Sequence, residues 1–173
     1  MVSASLLSAS SRPTRLRLPD LLYATDHYAE GFLDGNFDHL LPDDGLPNDC
    51  RWYTRLHSDG EVDVWLISWA AGHTTELHDH AGSLGALTVL DGVLNEYRWA
   101  GEGLRLRRLE AGDQAAFPLG WVHDVGMGTG TRDAALSVHA YSPPLTAMSY
   151  YEITDRRTLR RTHTELTDEP EKI

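Results

Sequence analysis

Three histidines carry the most specific chemical signal in this chain. His78 and His80 stand two residues apart, a spacing that on a β-strand puts both imidazoles on one face, where one metal ion can bind both. A third, His123, follows the turn-forming run Pro118-Leu119-Gly120, where the chain could fold back toward the first pair. Imidazole nitrogen serves iron, copper, nickel and zinc alike, so the ligand set leaves the metal open. An isolated H-x-H is more often a surface pair, and the nine histidines of the chain would produce one readily. A second polar set, Ser137, His139 and Tyr141, alternates with Leu136, Val138 and Ala140. On a strand it forms one polar face, which either meets solvent or lines an interior where every group must find a partner. Arg55 offers a planar guanidinium suited to gripping a carboxylate through two hydrogen bonds, although a lone strand arginine is commonly a solvated edge residue.

The elements that must position these residues are mostly strands. Runs at Arg51–Leu56, Val62–Trp69, Leu84–Leu90, Val93–Trp99, Leu104–Leu109, Gln114–Pro118, Ala134–Tyr141 and Ala147–Glu152 are separated by turn-forming residues at intervals of about 8 to 12 residues, as in a sandwich or barrel. The turns are Ser58-Asp59-Gly60, Asp91-Gly92, Gly101-Glu102-Gly103, Gly112-Asp113, Gly128-Thr129-Gly130 and Pro143-Pro144. Eight such strands predict a mainly β jelly-roll barrel, with the charged tail from Thr154 onward adding a last edge strand before a frayed end. Ahead of the barrel, Leu21, Leu22, Tyr28, Phe32, Phe37 and Leu40 recur at helical spacing. They predict one or two short N-terminal helices with Asp20 as a cap before Leu21. Pro42 to Asp49 reads as a linker. The expected organisation is one domain, in which a helical segment and linker over 1–49 pack on a barrel over 50–173.

Composition narrows the partners. A formal net charge of −11 argues against a nucleic-acid surface, and no apolar run approaches the roughly 18 residues that span a bilayer, so no membrane partner is expected. Cys50 is the single cysteine, which rules out an intramolecular disulfide or a thiolate-rich metal site and suits a reducing cytoplasm. It lies beside the first strand as a half-buried bystander. Met1–Ser11 lacks the charged and apolar regions of a signal peptide and is expected to be a loose terminus. A monomer acting on a small molecule is the expected state. His73 is read as a turn residue near the metal motif, His27, His39, His57 and His163 as surface residues, and Trp65, Trp69, Trp99 and Trp121 as core or pocket wall.

Gly72 precedes His78 by five intervening residues and Gly92 closes the next strand. Gly112, Pro118, Gly120 and His123 follow at the separations of a second motif. Together these resemble the paired motifs of cupins. Two departures stand out: Met127 replaces the usual Asn, and Leu84 and Gly85 occupy the places where a ligating Glu would fall. Three neutral imidazoles without that carboxylate would leave a divalent metal its full charge and open positions, favouring an anionic ligand brought by the substrate.

The segments Tyr53-Thr54-Arg55, Gly72-His73, His78-Asp79-His80 with Ser83, Gly92-Val93-Leu94-Asn95-Glu96, His123, and Ser137-Val138-His139-Ala140-Tyr141-Ser142-Pro143-Pro144 resemble the cysteine dioxygenase type I family across roughly Arg51 to Glu152. The resemblance implies a cupin holding Fe(II) on His78, His80 and His123 and oxidising the sulfur of cysteine with O2 to the sulfinic acid. It further implies that Arg55 binds the substrate carboxylate with Tyr53 close by, and that Ser137, His139 and Tyr141 form a hydrogen-bonded relay. Related enzymes acting on 3-mercaptopropionate carry Gln in place of Arg55, which tilts the substrate toward cysteine. Mammalian members have a cysteine, crosslinked to the tyrosine, where this chain has Gly85. No Cys–Tyr crosslink is therefore expected on Tyr141. The competing readings are a dioxygenase for another small thiol, a non-catalytic metal-binding cupin, and a zinc or nickel isomerase or hydrolase.

Overall fold

Residues 15–72, 74–128 and 134–170 are described by the computed structural model; Met1–Ser11, His73, Thr129 and Gly130 lie outside the described residues. Helix α1 (Leu18–Leu33) and a 3-10 turn (Asp38–Leu40) precede eleven strands. These are β1 (Trp52–Ser58), β2 (Asp63–Trp69), β3 (His78–Asp79), β4 (Leu84–Asp91), β5 (Val93–Trp99), β6 (Leu104–Glu110), β7 (Gln114–Phe117), β8 (His123–Met127), β9 (Ala135–Ser142), β10 (Ala147–Ile153) and β11 (Leu159–Leu166). They form two antiparallel sheets with strand orders β1-β2-β9-β4-β7 and β11-β10-β3-β8-β5-β6. The expected β jelly roll is present, with an edge strand in the charged tail.

Two strands depart from the expected eight in an informative way. β3 and β8 carry His78 and His123, with His80 just beyond the end of β3, and are too short and too polar to show alternating hydrophobicity. Their pairing comes from tertiary context, with His78 directly opposite His123. The helix also differs in detail. It is one 16-residue element whose N-cap is Arg17. Asp20 acts from inside the first turn, its carboxylate accepting the Arg17 backbone N–H at 2.7 Å. Pro19 is tolerated there because a first-turn N–H has no helical partner.

Both faces of the first sheet are covered, and this determines where the polar residues go. Val64, Leu66, Ala86, Leu136, Val138 and Ala140 pack with Leu21 and Ala29 of α1 on the outer face. Trp65, Ile67, Trp69, Leu87, Val89, Phe117 and Tyr141 face inward against Leu94, Leu109 and Val125 of the second sheet. All eight residues of β9 are consequently buried. The helix is also keyed to the sheet by a polar seam. Thr88 donates to the Thr25 hydroxyl at 2.9 Å, and Gln114 Nε2 donates to Thr88 Oγ1 and the Leu22 carbonyl, each at 2.9 Å. Where the chain crosses between sheets, Gly92 has φ +73°, and a Cβ there would meet the Ala135 backbone at 2.9 Å, so no other residue fits. No helix among the described residues is long and apolar enough to cross a membrane.

Leu21 is fully buried between α1 and the sheet. Leu21→Ala is expected to lower the free energy of unfolding by about 2–5 kcal/mol in urea titrations. A loss below about 1 kcal/mol would show that the helix contributes little to holding the outer face.

Candidate metal centre

The three histidines converge because two loops are tied together. Thr75 exchanges backbone bonds with β8 through its N–H to the Val125 carbonyl at 3.0 Å. Its hydroxyl accepts the Val125 N–H at 2.8 Å and donates to Asp124 at 3.0 Å. On the outer side, Asp79 accepts the Ala81 N–H at 3.0 Å and the Tyr151 hydroxyl at 2.7 Å, clamping the turn that follows His80. Ala81 has φ +49°, a conformation that this clamp holds. His78, His80 and His123 are all buried, and one ring nitrogen from each lies within 4.8 Å of the others. Among the described residues no carboxylate belongs to this cluster. The three could hold one metal ion.

Hydrogen bonds set which nitrogen His78 and His123 present. His78 Nδ1 lies 2.6 Å from the Glu76 carbonyl and must carry the proton, so Nε2 is the basic atom. His123 Nδ1 lies 3.0 Å from Glu96 Oε1, which also accepts the Trp121 indole N–H at 2.8 Å. Burial would raise the Glu96 carboxyl, but the bonds from His123 and Trp121 bring it below the ordinary range. His123 Nε2 is buried without a hydrogen-bond partner among the described residues. An orphaned basic nitrogen is costly unless a cation takes its lone pair. Burial pushes the His123 imidazole down to about 4, with Glu96 opposing and the neighbouring His78 and His80 adding to the depression. It is therefore neutral at ordinary pH, the form that ligates metal.

The strand face formed by Ser137, His139 and Tyr141 points inward and is fully buried, resolving the two alternatives left open by its alternation. Trp69 Nε1–H donates to Ser137 Oγ at 2.8 Å, Ser137 Oγ lies 3.0 Å from His139 Nε2, and His139 Nδ1 lies 3.2 Å from the Tyr141 hydroxyl. The Tyr141 ring reaches the metal cluster, 4.9 Å centroid to centroid from His80. Gly85 pairs with Tyr141 across the sheet, and a Cβ there would touch Tyr141 Cε1 at 3.4 Å and Phe117 at 3.0 Å. Absence of a side chain at Gly85 is what lets the two aromatic rings close over that spot.

Arg55 lies in the same cross-strand row as Trp65 and His139, and Tyr53 in the row of Ile67 and Ser137. Both are engaged by the C-terminal segment. Arg55 stacks over the Trp65 ring at 4.4 Å and donates to the Asp168 carbonyl at 3.1 Å, with the Asp168 carboxylate at 3.8 Å. Tyr53 donates its hydroxyl to Glu169 at 3.0 Å. Trp65 Nε1–H is buried with no partner among the described residues. Cys50 is exposed rather than half-buried, because it sits in the linker before β1 with nothing packed over it. Glu96, Asp79 and the Asp168-Glu169 segment were not singled out for a role at the centre by sequence. Glu96 alone left a trace there, as a lone acidic residue on the inward face of β5.

The family profile described as cysteine dioxygenase type I matches residues 47–154, more than half of the chain. Among solved structures, the chain is similar to an uncharacterised conserved protein with a double-stranded β-helix domain from Klebsiella pneumoniae. That likeness has 20% identity and a TM-score of 0.53, covering 66% of this chain and 93% of that one. It is also similar to KdgF from Halomonas sp., at 16% identity and a TM-score of 0.48, over 57% of this chain and 82% of that one. The first of these likenesses supports the double-stranded β-helix fold.

Unfolded, the His123 imidazole takes a proton near 6.5; folded, it does so only near 4. Stability present at neutral pH is therefore lost as pH falls through that window. For metal-free protein, urea unfolding at about pH 7.5 and about pH 4.5 should differ by up to about 3 kcal/mol in that direction; a flat profile would contradict a neutral buried His123. Glu96→Gln, which keeps the shape but removes the charge behind His123, should weaken metal binding about tenfold in chelator competition.

Proposed function

The chain belongs to the cysteine dioxygenase type I family, and from that premise we propose that it is an Fe(II) thiol dioxygenase converting L-cysteine and O2 to cysteine sulfinic acid. The observation that carries this reading is the ligand set: three buried imidazoles and, among the described residues, no carboxylate beside them. Glu96 is held behind His123 at Nδ1, on the far side of the ring from Nε2. A dication on three neutral nitrogens keeps its charge, and a thiolate is the ligand that best neutralises it. Iron, when bound, would supply the place where sulfur and dioxygen meet and exchange electrons. Both oxygen atoms of O2 end on sulfur, so no external reductant is consumed.

The remaining roles fall to the chain's own side chains. Arg55 binds the cysteine carboxylate, with Tyr53 beside it, and fixes the direction in which the thiol enters. Trp69 donates to Ser137; in the tautomer this reading assigns, the Ser137 hydroxyl proton goes to His139 Nε2 and His139 donates from Nδ1 to the Tyr141 oxygen. That order turns the phenol proton of Tyr141 toward the reacting groups, in a water-poor interior where one such donor is worth most. With glycine at residue 85, Tyr141 works as a phenol that carries no thioether bond.

The deciding experiment is anaerobic reconstitution with ferrous iron, followed by addition of L-cysteine and oxygen labelled with heavy isotope. Expected are thiol-dependent oxygen uptake and a product carrying two labelled atoms. Retained metal with no uptake on cysteine, 3-mercaptopropionate or cysteamine would instead favour a non-catalytic cupin. Arg55→Ala should raise KM for cysteine about tenfold or more with a smaller change in kcat. Tyr141→Phe should lower kcat about a hundredfold and leave KM within a few-fold. Unchanged cysteine dependence in Arg55→Ala would remove the carboxylate assignment.

A further inference from the structure

The segment after β11 is held across the inward edge of β1 by a small set of specific bonds. The Thr167 N–H donates to the Thr146 carbonyl at 3.2 Å, and the Thr167 hydroxyl closes a tight turn with the Glu169 backbone through bonds of 3.1 and 3.2 Å. Pro170 beyond it is buried. This turn presents one backbone carbonyl and two carboxylates to Arg55 and Tyr53: the Asp168 carbonyl at 3.1 Å, the Asp168 carboxylate at 3.8 Å and the Glu169 carboxylate at 3.0 Å. These oxygens are what a ligand carboxylate would offer to the same two donors.

We propose that Asp168 and Glu169 are specificity-determining residues. They satisfy Arg55 and Tyr53 with the chain's own oxygens, so a carboxylate-bearing ligand binds only by displacing them. The inference rests on the assignment of Arg55 and Tyr53 to a ligand carboxylate. The contacts are built to be exchanged: the Asp168 side chain is 83% exposed and that of Arg55 39%, and solvent-screened pairs of this kind are weak. Among the described residues they also leave the buried Trp65 indole N–H unmatched. A small ligand that reaches that donor as well gains something the strap does not offer. Arg55 itself stays in position during the exchange, because its guanidinium rests on the Trp65 ring. A thiol without a carboxylate has no reason to disturb the strap and meets no competition from it.

The test compares wild type with the double variant Asp168→Ala, Glu169→Ala, both loaded with ferrous iron and kept free of oxygen. Each is titrated calorimetrically with L-cysteine, 3-mercaptopropionate and cysteamine. Removing the competing carboxylates should tighten both carboxylate thiols by about two- to five-fold and leave cysteamine unchanged. An equal shift for all three, or no shift for the first two, overturns the proposal. A second measurement needs neither thiol chemistry nor a variant of the strap. In metal-free wild type, propionate should speed amide hydrogen exchange at residues 167–169, and Arg55→Gln should abolish the effect. An exchange pattern unmoved by propionate overturns the proposal as well. Failure of the dioxygenase reading is seen separately, as wild-type protein that takes up no oxygen with any of the three thiols.

Discussion

The barrel interior buries three basic rings side by side, and the rest of the centre follows from that constraint. A protonated imidazole inside an apolar core would carry a large desolvation penalty, so at His123 burial selects the neutral form and leaves one proton and one lone pair to place. At His123 the proton goes to Glu96 and at His78 to the Glu76 carbonyl. The basic nitrogens are then turned toward one another, an arrangement that repels itself unless a cation sits between them. Glu96 also contributes a negative charge one ring away from the cluster, where it can strengthen His123 as a ligand without occupying a coordination position.

Covering one sheet on both faces is what makes an interior polar row affordable to the fold. With α1 laid over Val138 and Ala140, β9 buries its apolar side chains outward and is left to turn Ser137, His139 and Tyr141 into the barrel. Each of those polar groups then finds a partner along the row, ending at Trp69 on β2. Helix α1 thus acts on the centre indirectly, by covering the outer face of the sheet whose central strand carries the polar row.

Much of this was legible in the sequence because it is written in local pattern. Alternation along β9, the turn residues between strands and the spacing of His78, His80, Gly112, Pro118 and His123 are all short-range features. What escaped is long-range. β3 and β8 become strands only because each pairs with the other and with β5 and β10, and HD or HDVGM alone has no strand signal. Asp79 reads as a spacer between two ligands until Tyr151, seventy-two residues away, is brought to it. The contact between Glu169 and Tyr53 spans one hundred and sixteen residues, and no periodicity connects them. Asp20 reads as a cap ahead of the helix but sits at its third residue, because a carboxylate there reaches back to the Arg17 N–H while an N-cap side chain reaches forward, and the sequence around Asp20 fits either.

The position of β9 within its sheet has a dynamic consequence. It is hydrogen-bonded along both edges, to β2 and to β4, and buried on both faces. Local fluctuations cannot release such a strand, so its amides should open only when the entire domain melts. Ser137, His139 and Tyr141 therefore sit on the stiffest part of the molecule, while β11 and the turn beyond it lie at a sheet margin with one bonded neighbour. Mechanical compliance is graded across the barrel, rigid at the inward polar row of β9 and looser at the C-terminal margin.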